Sequence, residues 1–195
     1  MTTVALSMAG DVLGMAQSVV NPPRAPAAPG SGKIDGIEIA LLPHFFSKSL
    51  IKPLSGSHQK TLVHLGGANT FGWAAYTIYD DFLDGEGDIQ QLSAANTALR
   101  QSLHHFRQAL PNNAEFQTFV ARAFDTIDSA NAWELAHCRM PVTDKKIKLG
   151  QLPPYKNTLD LTNRSMGHVL TPLGVLATAG LSLDDPRSGK VILAL

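Results

Sequence analysis

The chain has a single cysteine, Cys138, so no disulfide can form within it and a reducing compartment is the simplest setting. It has no excess of either charge. Sixteen Lys and Arg balance 16 Asp and Glu, and charged residues make up only 16% of the 195. With no basic run either, no nucleic-acid partner is expected. Long hydrophobic runs are absent. The longest, "VLTPLGVLATAGLSL" at 169–183, is too short to span a bilayer and carries Pro172, so no stable membrane span is expected. The N-terminus lacks the basic segment of a signal peptide, and Asp11 interrupts its apolar residues. Together these absences point to a cytoplasmic protein. Strand signals are scarce, and no internal repeat occurs.

What is present is enough apolar residue, 44%, to bury a sizeable core in one domain. Residues 1–33 read as an N-terminal segment, with a short helix over 1–20, followed by the linker "NPPRAPAAPGSGK". The folded domain is expected over 34–195. "DGIEIALL" at 35–42 has some β character and could equally open a helix. Four helices of about 20 residues then follow from the apolar periodicity and the turn signals. They run from Ser57 to Leu83, Ile89 to Gln108, Asn113 or Ala114 to Arg139, and Tyr155 to Leu181. The loop "MPVTDKKIKLGQLPP" separates the last two. The fold class is all-α, an antiparallel helical bundle.

Polar residues fall on faces that the pattern marks as buried. On the first long helix Leu62, Leu65, Asn69, Trp73, Tyr76, Asp80 and Asp84 share one stripe that turns polar towards its C-terminal end. On the third, the stripe from Phe116 to Ala130 runs on through Asn131, Glu134, His137 and Cys138, while Asp125 and Asp128 lie off it and read as solvated. The fourth puts Lys156, Asp160, Asn163, Gly167 and Gly174 on one face, where the glycines leave room for something other than a side chain. Buried polar groups are costly unless paired. Three such faces imply a polar floor at one end of an apolar cavity.

The sharpest feature is "YDDFLDGEGD" at 79–88. Asp80, Asp81 and Asp84 occupy one helical turn, where they repel one another and oppose the helix dipole at its C-terminal end. A cation is the expected compensation, and hard carboxylate oxygens suit Mg²⁺, with Mn²⁺ as the alternative. The bland alternative is a solvated acidic helix end. A calcium loop starting at Asp84 would need Gly and Glu where Ile89 and Ala95 stand. A di-iron site would need a second pair like Glu134 and His137.

"YDDFLD" resembles the first aspartate-rich DDxxD motif of class I isoprenoid synthases, the superfamily of trans-prenyltransferases, squalene and phytoene synthase relatives and terpene cyclases. "YKNTLDLTNRSMGHVLTPLGVLATAG" is similar to the later helix that those enzymes open with Lys-Thr, Asn157 standing here for the Thr. The resemblance covers roughly residues 55–185. It implies a bundle of the isoprenoid synthase type and an Mg²⁺-dependent enzyme of isoprenoid biosynthesis acting on allylic prenyl diphosphates. Asp80, Asp81 and Asp84 would be its catalytic metal ligands. Diphosphate would leave under charge stabilisation by the metal and nearby cations, and the carbocation would react in a dry apolar pocket, by prenyl transfer or terpene formation. Lys156 and Arg164 become candidate diphosphate ligands. Tyr76 and Trp73 would be pocket walls, and Asn69, Asn163 and Glu134 complete the expected substrate-binding set. The family's second metal motif has no counterpart before Leu195, the pair Asp184 and Asp185 reading as a turn, and Lys60 is the nearest candidate for the early basic segment. A partial bundle is therefore expected, completed beyond this chain, by another subunit or in a homo-oligomer. The alternative is a non-catalytic helical protein that binds prenyl chains or lipids.

Overall fold

Glycines and capping side chains punctuate the chain. In the computed structural model, which describes residues 36–52, 54–138, 153–156 and 162–194, the described residues form six α-helices and no strand. These are α1 (Gly36–Lys48), α2 (Gln59–Leu83), α3 (Leu92–Ala109), α4 (Ala114–His137), α5 (Gly167–Thr178) and α6 (Pro186–Ala194). The N-terminal segment and linker at 1–33, Arg139, most of the loop at 140–154, Asn157 and Asp160 lie outside the described residues. Residues 36–42 of the stretch that is ambiguous in sequence open α1, which carries Pro43 inside it.

Helix α2 ends on the acidic motif for a local reason. Gly85 takes φ 76°, its N–H donates to the Phe82 carbonyl, and the Glu86 N–H donates to the Asp81 carbonyl. This is a Schellman motif, which needs a residue without a Cβ penalty in the left-handed region. The Asp88 carboxylate then accepts from the Gln90 N–H and starts the 3₁₀ turn leading into α3. Asn113 caps α4 by accepting from the Phe116 N–H. Asp185 accepts from the Arg187 N–H and Pro186 is the first residue of α6, so the late acidic pair is a turn and cap, as the sequence indicates.

The fourth helix departs from expectation. Tyr155 and Lys156 are not helical, Thr162 is, Asn163–Ser165 form a 3₁₀ turn that interrupts the expected helix, and α5 starts at Gly167. It stops at Thr178, where Gly180 (φ 84°) repeats the Schellman pattern.

Long-range contacts give the topology. Tyr79 meets Asn96, Phe71 meets His105 and Ala68 meets Ser102, so α2 and α3 run antiparallel. Tyr76 meets Phe124, and Asp80 and Asn131 meet on Arg164, so α4 runs with α2. Gly174 lies on Leu65 while Arg164 reaches Asp80, which sets α5 antiparallel to α2. The main core fills one end of this bundle, with Leu65, Phe116, Leu173 and Val175 almost fully buried. Burial at roughly 25 cal/mol per Å² makes this end the main source of stability. Gly174 serves it directly. A Cβ there would stand 2.7 Å from Leu65 Cδ2 and 3.1 Å from Phe116 Cζ, so core side chains fill the room that the sequence reading left for a ligand.

Candidate functional site

The other end of the bundle is hollow. A cavity of about 480 Å³ opens there, walled by α2, α3, α4, the turn before α5 and the start of α5. Trp73, Tyr76 and Tyr79 come from α2, Phe106 from α3, Phe124 and Ile127 from α4, and Leu170 from α5. Asn69, Asp80, Asp81, Asn131 and Arg164 supply polar groups. The apolar-to-polar stripe of α2 produces this directly: Leu62 and Leu65 point into the core, and two turns later the same face meets the cavity.

Arg164 organises the polar end. Its Nη1 pairs with Glu134 Oε2, its Nη2 donates to Asp80 Oδ1 at 2.5 Å, and its Nε donates to Asn131 Oδ1 at 3.1 Å. One guanidinium thus ties the C-terminal parts of α2 and α4 to the 3₁₀ turn before α5. Its partners differ in exposure: the Glu134 side chain is 9% exposed, that of Asp80 51%. Part of the acidic cluster's charge is therefore compensated from within the chain, by a guanidinium 84 residues away.

The tyrosines are held by their hydroxyls. Tyr76 donates to Asp128 Oδ1 at 3.3 Å and Tyr79 to Asn96 Oδ1 at 2.7 Å. Burial and then the Asp128 carboxylate push the Tyr76 hydroxyl well above its usual range, and burial with the same carboxylate raises Tyr79. Both stay neutral at physiological pH. Asp128, exposed as expected, thus has a partner that the sequence did not reveal.

The expected site residues divide into three groups. Asn69, Trp73, Tyr76, Asp80, Asp81 and Arg164 come together around the cavity, Trp73 at 46% exposure and Asn69 also donating to the Ile39 carbonyl at 3.0 Å. Glu134 is buried against Arg164. Asp84 is the exposed C-cap of α2, Lys156 is exposed, Asn163 sits in the 3₁₀ turn, and none of these three lines the cavity. Lys60 lies in the first turn of α2, about 30 Å along the helix axis from Asp80. His137 bonds the Trp133 carbonyl at 2.8 Å while Glu134 engages Arg164. Phe106, Phe124 and His168 were missed as lining residues. Phe124 was legible in principle, because Val120, Phe124, Ile127 and Asn131 keep helical spacing.

The donor set bears on Mg²⁺ in a specific way. Asp80 and Asp81 offer hard oxygens at the cavity, which fits an ion held by one or two carboxylates together with a ligand's phosphates. It does not fit a cage of protein ligands alone, since among the described residues no three His, Cys, Asp or Glu converge as a metal-holding group.

No helix among the described residues is long and apolar enough to cross a membrane. Compared with protein-family models, with curated proteins and with solved structures, the chain matches none.

Proposed function

We propose that the chain is an Mg²⁺-dependent class I isoprenoid synthase, acting on an allylic prenyl diphosphate. The observation that carries this reading is the junction at one end of the bundle: Asp80 and Asp81 beside Arg164, opening onto an aromatic-lined cavity. An apolar chain suits the cavity and a polyanionic head suits its rim, provided a divalent ion screens head from carboxylates. Asp80 and Asp81 would hold that ion. When bound, it would supply charge neutralisation of the departing diphosphate. Arg164, beside Asp80, would bind a phosphate oxygen of the substrate. Trp73, Tyr76 and Phe124 would exclude water and face the developing positive charge.

A second reading, a helical prenyl- or lipid-binding protein without catalysis, is favoured by one observation. Asp80 is already paired with Arg164, so the cavity's polar end holds together without a metal. Calorimetric titration separates the two. The synthase reading expects a prenyl diphosphate to bind with Mg²⁺ and to lose most of its affinity in EDTA. A prenyl alcohol bound as tightly as the diphosphate, with EDTA making no difference, would establish the binding protein instead.

A further inference from the structure

Two histidines meet across the seam between α2 and α3, outside the cavity. His64, early in α2, and His105, late in α3, face each other through their Nδ1 atoms at 3.1 Å, one nitrogen donating to the other. Ala68, Ser102 and Phe106, close to them in sequence, line the cavity, but neither histidine does. The sequence makes room for the meeting. Gly67 is a weak helix former inside a 25-residue helix, and a Cβ there would stand 2.8 Å from His105 Nδ1 and 2.9 Å from its Cε1. Phe71, one turn further on, stacks on the same ring with centroids 5.5 Å apart. Two residues of α2 thus seat the His105 imidazole with its Nδ1 turned to His64. Both histidines keep partial exposure to solvent.

The spacing is that of a metal chelate. Two imidazole nitrogens about 2.0–2.1 Å from one tetrahedral ion stand roughly 3.3 Å apart, so a small turn of both rings replaces the shared proton with a metal. We propose that His64 and His105 form a two-histidine site for a divalent transition ion of the Zn²⁺ class, clamping α2 to α3, with water in the remaining positions. The donors are nitrogen, which suits Zn²⁺, Ni²⁺ and Cu²⁺ and does not suit Mg²⁺. Burial, then Lys60 and His104, hold the His64 ring below its usual pKa, and burial, then His64 and His104, bring His105 to about 4. Both rings are therefore neutral at pH 7, the form that ligates. The same Lys60 charge opposes any cation that binds by charge alone, so ligation to imidazole nitrogen sets the selectivity.

The test is calorimetric titration of Zn²⁺ into the full chain at pH 7 in a non-coordinating buffer. Saturable binding is expected. His64→Phe and His105→Phe are each expected to weaken it by about 10-fold or more, while Asp80→Asn/Asp81→Asn leaves it unchanged. Nitrogen NMR of labelled histidines in the unmutated protein reads the same site without any variant: Zn²⁺ is expected to move the Nδ1 resonances of His64 and His105. Absence of Zn²⁺ binding by the wild type would overturn the proposal. So would binding that survives both histidine variants, or ring shifts confined to other histidines. Such a failure leaves the synthase reading untouched, because that reading concerns Asp80, Asp81, Mg²⁺ and a diphosphate at the other face of α2.

Discussion

Replacing Arg164 with methionine removes the guanidinium from three partners while keeping an unbranched apolar stem. The cost can be built from exposure. Asp80 is half exposed, so its pair with Arg164 contributes about 0–1 kcal/mol. Glu134 is buried, and breaking a buried pair costs about 3–5 kcal/mol, reduced here because Arg164 itself is 30% exposed. The sum is about 2–4 kcal/mol, a fall in Tm of roughly 5–15 °C for a chain of this size. Urea unfolding at pH 7 of wild type, Arg164→Met, Glu134→Gln and the double variant completes the thermodynamic cycle. Glu134→Gln replaces the buried charge with a neutral amide, so the double variant should be at least about 1 kcal/mol more stable than the two single losses added together. A loss below about 0.5 kcal/mol in Arg164→Met, or strictly additive singles, would refute the idea that this guanidinium holds the cavity end together.

Other perturbations read different parts of the fold. His105 bonds His64 through their Nδ1 atoms at 3.1 Å and stacks on Phe71, and burial, then His64 and His104, lower it to about 4. The unfolded ring titrates near 6.5, so the unfolded state binds more protons between these values. His105 therefore carries no penalty above pH 6.5, and stability falls as pH drops from 6.5 towards 4. The ring is partly exposed, which discounts the loss to about 1–2 kcal/mol, and His105→Phe should flatten that part of a stability–pH profile. Gly66→Ala should cost about 1–3 kcal/mol in urea unfolding, because the new methyl would stand 2.4 Å from the Ala40 carbonyl oxygen and push α1 off α2. Gly189→Ala, within α6 and with nothing within 4 Å of the added carbon, should instead raise stability by about 0.5–1 kcal/mol.

The helical architecture was legible because it rests on local signals. Apolar spacing gave α2 and α4 within a few residues, and the stripe of α2 located the cavity from Asn69 to Asp80. The features that escaped are long-range. Nothing near Asp80 announces that Arg164 will pair with it, because the pairing depends on how the chain returns after α4. Gly174 looked like space for a ligand because a helical wheel shows a face but not what packs on it, and Leu65 and Phe116 do. The stop before Gly167 was hidden for a similar reason. "TNRSMG" carries no proline, so no strong breaker marks it, yet Arg164 reaches Asn131, Glu134 and Asp80 from a 3₁₀ turn.

The central claim concerns Asp80 and Asp81 as the place where a divalent ion and a diphosphate meet. Thermal melting of the full chain with Mg²⁺, with an allylic prenyl diphosphate, and with both together tests it most directly. The account predicts a rise of roughly 5–10 °C with both ligands at about 100 times their Kd, little change with either alone, and no rise in Asp80→Asn/Asp81→Asn. Unchanged melting of the wild type with both ligands, or an equal rise in the double variant, would contradict it.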